Sequence, residues 1–367
     1  DEVLLGGHSP GGSSLVSDED DLDATFGGYA VSDGGLGSFN GTMLRKKLTG
    51  KRASVSTAVT QWSEYVGGSA SRKDLETMFQ LAWLRFTQPR VDSTLYKAFV
   101  NMVRAGQDNA ENDPGQVFSD TIAMTLTQNH PRTRLIKVAS FDSVNVEHAL
   151  AIYRERFAGA DDFTFFLVGS FPLDSARLFT ERYIASLPAA GRKEKARDLG
   201  IRMPSGVVEK TVHKGVEPKA SNRFVFHGTC DYSYENRIVF DALQELLDIR
   251  LREVLREDKS GTYGVGVSGS CSHIPYERYQ LTISFGSAPE RRDELITAMW
   301  GVIDSVKAGI ISDSNMVKIR EMAVRGHETA LKQNGSWLSA MQDADEDGRD
   351  QRDWLRAPEM TAKVTPQ

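Results

Sequence analysis

The chain has 367 residues, 40% hydrophobic and 26% charged, with a formal charge of −6, the balance of a globular protein with room for two to three domain cores. Scattered basic residues argue against a nucleic-acid partner, and no run approaches the roughly 18 uninterrupted apolar residues of a membrane span. Only Cys230 and Cys271 are present, which excludes a disulfide framework and a thiolate zinc site and predicts a chain held by packing.

In chain order, the acidic run Asp18-Glu19-Asp20-Asp21 reads as a helix N-terminus, where carboxylates complement the dipole; it lacks the spaced ligands and glycine of a calcium loop. Gly34-Gly35-x-Gly37 resembles a phosphate loop only superficially and reads as tight turns. Leu44-Arg45-Lys46-Lys47-Leu48 leads through Gly50-Lys51 into the alternating Ser54 to Val59, and Asp74 to Phe79 opens a helix. A helix cap is expected at Asp142 or Ser143, followed by a helix over Ala149 to Phe157, a buried strand over Phe163 to Val168, and a helix from Asp174 to Ser186. The polar stretch Pro188 to Lys195 reads as a join, which divides the chain into domains 1–190 and 191–367.

Beyond it, strands are predicted near 207–213, 222–228, 262–272 and 277–286. A helix near 233–257 carries Ile238, Leu243, Leu246, Leu247, Leu251 and Leu255 at helical spacing. Helices near 290–308, 313–333 and 336–345 follow, and Asp343 to Asp350 reads as a solvated acidic turn. The plan repeats. Leu251-Arg252-Glu253-Val254-Leu255 runs through Lys259-Ser260-Gly261 into Tyr263 to Val267, as residues 44 to 59 do 207 positions earlier, and the helix from Asp293 echoes the one from Asp74. Strands followed by helices predict an α+β fold of two like domains, each a largely antiparallel sheet with helices on one face.

The stretch from Leu251 to Val267 also delivers Arg256 and Tyr263, seven positions apart, to the start of a strand. An always-charged guanidinium and a phenol together clamp a peptide carbonyl and hold an oxyanion. The bland reading pairs Arg256 with a nearby carboxylate and half-buries Tyr263.

This segment resembles the final domain of the pitrilysin, or insulin-degrading enzyme, family of zinc metallopeptidases, in which an Arg and a Tyr at this spacing bind substrate beside the zinc. Ser9 to Leu15, Leu44 to Lys51, Phe86 to Asp92, Ile152 to Phe157 and Phe163 to Gly169 are similar to the third domain of bacterial members, so the resemblance covers roughly residues 3–347. It implies the pitrilysin and mitochondrial processing peptidase-like fold, peptide substrates, a zinc-bearing N-terminal half as partner, homodimer formation as an option, and a periplasmic or cell-envelope location. It also implies that zinc lies outside this chain. Such a site needs His-x-x-Glu-His on a helix and a glutamate from a later one. None of the seven histidines lies four from another; Val144 to His148 comes nearest, with a valine where the first ligand would be. The positions matching the zinc helix, Asp21 to Gly28, hold no imidazole, and those matching the glutamate helix, Thr94 to Arg104, hold no carboxylate.

No Gly-x-Ser-x-Gly elbow frames a serine nucleophile, since Gly266 to Ser270 is out of register. The expected role is therefore the C-terminal half of a clamshell metalloendopeptidase, inactive alone. Arg256 and Tyr263 would bind substrate there. Its rivals are a non-catalytic, peptide-presenting or scaffold subunit paired with a separate zinc subunit, and a binder that adds a peptide to a sheet edge. Absence of an initiator Met before Asp1 and of a signal sequence, with a polar end at Lys363 to Gln367, reads as a piece of a longer polypeptide.

Overall fold

The computed structural model describes residues 2–32, 34–110, 112–135 and 137–366. In chain order the elements are β1 (Glu2–Pro10), α1 (Asp21–Ser32), α2 (Gly41–Lys47), β2 (Ala53–Val59), β3 (Ser63–Ser71), α3 (Leu75–Thr87), α4 (Ser93–Ala110), α5 (Pro114–Leu126), α6 (Val138–Asp142), α7 (Val146–Arg156), β4 (Thr164–Gly169) and α8 (Leu173–Phe179). After a long connection come β5 (Ala220–Gly228), α9 (Tyr234–Leu251), β6 (Val265–Ser272), β7 (Arg278–Ser287), α10 (Arg292–Lys307), α11 (Asp313–Ala330), α12 (Asn334–Glu346) and α13 (Ala357–Ala362).

Two compact units result: Asp1–Gly215 with Asn334–Arg349, and Val216–Gln333 with Asp350–Gln367. The division expected at Ala190 falls inside the connection between residues 185 and 219, which carries no helix or strand, and α12 belongs to the first unit. No strand forms at 207–213. Val207 and Val208 supply apolar character but find no pairing partner and stay exposed.

In the first unit the sheet order is β2-β3-β1-β4, every pair antiparallel, with Glu2 opposite Ser71 and His8 opposite Thr164. One core joins strand residues Val3, Leu5 and Val66 to Leu75, Met78, Phe79 and Phe86 of α3 and to Leu150 and Tyr153 of α7. Each such side chain contributes about 1.5–3 kcal/mol through burial. Asn145, rather than Asp142 or Ser143, caps α7, because its carboxamide oxygen accepts from the N–H groups of Glu147 and His148. Gly35 turns at φ 94°, and a Cβ there would lie 2.1 Å from the Phe39 carbonyl oxygen, so this glycine run is a tight turn. The acidic stretch from Asp343 is not a solvated turn. Its first residues close α12, where Asp345 accepts from His8 Nε2 at 3.1 Å and Glu346 accepts from the Tyr65 hydroxyl at 2.9 Å; Asp347 then pairs with Arg349.

In the second unit the order is β5-β7-β6, again antiparallel. Substituting β1, β2 and β3 for β5, β6 and β7 reproduces the β1-β3-β2 order of the first sheet, so the repeated sequence plan is a repeated topology; β4 is the first unit's addition. Leu247, Leu251 and Leu255 recur every four residues and pack with Leu281, Ile283 and Phe285 of β7 and Leu295 and Met299 of α10.

The cysteines correct the expectation of a chain without staples. β5 and β6 lie on either side of β7, which brings Cys230, just after β5, to Cys271 in β6, and the two form a disulfide. No helix of the described residues is long and apolar enough to cross a membrane.

Candidate substrate-binding turn

Arg256 and Tyr263 stand on the connection from α9 to β6. After Leu251 the helix widens into a π-helical turn, Arg252–Asp258, an irregularity that recurs at functional sites. Leu251 and Leu255, both fully buried, anchor its inner side. Arg256 follows the second anchor and is exposed.

The turn beyond is braced from several directions. The Lys259 N–H donates to Val254 O at 3.1 Å, and the Gly261 N–H donates to Leu255 O at 3.0 Å. Ser260 takes the left-handed conformation at φ 48°, unusual for a residue with a side chain. Arg291, just before α10, donates to the carbonyls of Ser260 at 3.2 Å and Lys259 at 3.0 Å. Its guanidinium is held in turn by Glu294, at 3.1 Å, which also pairs with Lys259 at 3.3 Å. Hydrogen bonds from Lys259 and then Arg291 hold the Glu294 carboxyl below its usual range. Gly261 fits where nothing larger does: a Cβ there would meet Leu295 Cδ2 at 2.4 Å. Past it, the Thr262 hydroxyl donates to Gly264 O and accepts from Gly264 N–H, closing a local loop around Tyr263.

Tyr263 is fully exposed at the tip. Among the described residues, neither the Arg256 nor the Tyr263 side chain has a hydrogen bond, ion pair or ring contact. The bland reading required the opposite, a paired arginine and a half-buried tyrosine. Two strong donors thus stand free on a rigid support, which suits them to a carbonyl or carboxylate brought from outside. Arg291 and Glu294, which fix the turn, were not singled out from sequence; their only signal is an Arg and a Glu three apart at a helix start, a pattern common to surface helices.

In the first unit, the residues matching the zinc helix do not fit that metal. Asp21 of α1 accepts from Arg132 at 2.8 Å, while Arg132 also pairs with Asp18 and donates to the Ser13 and Val16 carbonyls. Asp23 binds His148 Nδ1 at 2.8 Å and the Asn145 N–H at 2.9 Å. These carboxylates already have cationic or N–H partners, and no imidazole shares their helix. Among the described residues no group of three or more His, Cys, Asp or Glu side chains is arranged to hold a metal.

Residues 143–322 match the family described as the Peptidase M16 inactive domain. The chain is 23% identical over 296 residues to the probable zinc protease PqqL of Haemophilus influenzae, an overlap spanning 78% of this chain and 30% of that protein. It is 22% identical over 357 residues to the zinc protease PQQL-like protein of Arabidopsis thaliana, spanning 92% of this chain and 34% of that one. The chain therefore spans about a third of the length of these curated relatives. Among solved structures it superposes on the periplasmic protease PqqL of Escherichia coli with a TM-score of 0.86 at 20% identity, covering 99% of this chain and 40% of that one. At that identity the likeness establishes the fold, a mixture of helices and antiparallel sheets.

Proposed function

We propose, from the premise that this chain carries the inactive domain of the peptidase M16 family, that it is the non-metal half of a zinc metalloendopeptidase. The zinc and the general base belong to a partner half. In this reading Arg256 and Tyr263 reach the peptide substrate as the two halves close around it. The observation that carries it is the pair of exposed donors without partners on a turn braced by Arg291, Glu294 and Gly261.

The chemistry asked of this chain is specific. Zinc in the partner half supplies the activation of water and the polarisation of the carbonyl. Arg256 and Tyr263 orient the peptide by donating hydrogen bonds to its carbonyl oxygen. As negative charge gathers on that oxygen, the same two bonds strengthen, which lowers the barrier beyond what ground-state binding does. Neither side chain has to change partners first, so the reorganisation cost is small.

A periplasmic location agrees with the disulfide between Cys230 and Cys271, since such bonds persist in oxidising compartments. The two units are read as copies of one duplicated domain, on the strength of the shared β1-β3-β2 and β5-β7-β6 order. The assignment is tested by mixing this chain with a His-x-x-Glu-His half of the same enzyme and following cleavage of a quenched fluorescent peptide. Activity is expected from the mixture and from neither part alone; cleavage by this chain alone in the presence of zinc overturns it.

A further inference from the structure

We propose that a basic cleft in the first unit, beside the start of β2 and α3, binds an acidic peptide segment that carries an apolar residue next to its carboxylates. The cleft has a volume of about 650 Å³ and is lined by Arg52, Arg72, Lys73, Leu75, Pro172 and Phe179, among others. Its charges are unevenly satisfied. Asp74, at its edge, is fully engaged: it accepts from the Arg52 N–H at 3.0 Å and from the Ser71 hydroxyl at 2.7 Å, and pairs with Lys51 at 3.2 Å. Glu76, on the wall, is taken by Arg182 at 3.1 Å and by the Tyr183 hydroxyl at 2.8 Å. Arg52, Arg72 and Lys73 remain. Among the described residues none of their side chains has an ion pair or hydrogen bond.

Three unmatched cations converge on one cleft in a chain whose formal charge is −6. In most surface clusters the opposite charges alternate and cancel; here Asp74 and Glu76 are already paired elsewhere, so the field of the three cations is open to a ligand. Two guanidiniums provide planar, forked donors that suit carboxylates in pairs, and the ammonium adds a point charge. Pro172 and Phe179 add an apolar side that a free phosphate leaves unused. A peptide in which an apolar side chain lies between Asp and Glu residues meets both demands. The site lies within the first unit, apart from the turn that carries Arg256 and Tyr263 in the second, and its binding is independent of the peptidase reading.

The test is fluorescence anisotropy on this chain at low ionic strength, with a labelled peptide of alternating Asp, Glu and Leu and, as counterpart, the same peptide with Asn and Gln for its acids. The expected result is saturable binding of the acidic peptide, weakened at least about tenfold in its amide counterpart and in the Arg52→Gln/Arg72→Gln/Lys73→Gln variant. The variant Arg45→Gln/Lys46→Gln/Lys47→Gln removes the same charge from exposed positions on α2 and is expected to bind as the unmodified chain does. All six positions are exposed, and circular dichroism checks that both variants fold. Equal weakening by the two triple variants, equal binding of the two peptides, or displacement of the peptide by equimolar inorganic phosphate overturns the proposal.

Discussion

Gly261 and Leu295 meet so closely that a single methyl group on the glycine would lie 2.4 Å from Leu295 Cδ2. Leu295, on α10, is itself fully buried in the core against the sheet, so it has little room to retreat. This contact sets the path of the chain between Arg256 and Tyr263.

Gly261→Ala is accordingly expected to destabilise the second unit by about 1–3 kcal/mol, the usual cost of overfilling a packed core. Chemical denaturation measures it. Unchanged stability would mean that the turn shifts freely, and the bracing assigned to it would have to be given up.

The disulfide closes a loop whose ends are 41 residues apart and which contains α9 and the whole Arg256–Tyr263 turn. Restricting the unfolded chain over such a loop is worth about 4 kcal/mol on the chain-entropy account. Replacing Cys230 and Cys271 by serine, or reducing the native protein, is expected to lower the melting temperature clearly. Identical melting curves with and without reductant would show that the bond adds nothing.

The architecture was legible in sequence where one periodicity governs one element. The leucines of α9 sit at helical spacing, and the repeat between residues 44 and 251 became a shared strand order. Other features were not legible, because they depend on what lies opposite. Val207 and Val208 look like strand residues but have no strand to pair with, and Cys230 and Cys271 become neighbours only because β7 lies between β5 and β6. The cap of α7 is ambiguous in sequence, because Asp142, Ser143 and Asn145 are all good caps and only the fold selects Asn145. For the site, sequence named Arg256 and Tyr263 but did not reveal that they stand exposed and unpaired, nor that Arg291 grips the carbonyls beneath them.

Asp74 links the start of β2 to the start of α3 and carries a pH signature. The Arg52 N–H, then the Ser71 hydroxyl and Lys51, bring its carboxyl down to about 2. A depressed pKa in the folded state means stability that is present above the ordinary carboxylate range, near 3.8, and is lost as pH falls towards 2. Urea denaturation between pH 5 and about 2 is expected to show a shallower acid decline in Asp74→Asn than in the unmodified chain. Parallel declines would show that Asp74 titrates alike in both states.

The most direct test concerns Tyr263 in the enzyme assembled with its zinc-bearing half. Tyr263→Phe keeps the ring and deletes only the hydroxyl, and full exposure of the side chain leaves no packing to lose. A donor used mainly in the transition state is worth roughly 2.7–4 kcal/mol, so turnover is expected to fall about a hundred- to a thousandfold, with much less change in KM and none in melting temperature. Wild-type turnover by Tyr263→Phe would contradict the account and remove Tyr263 from the substrate site.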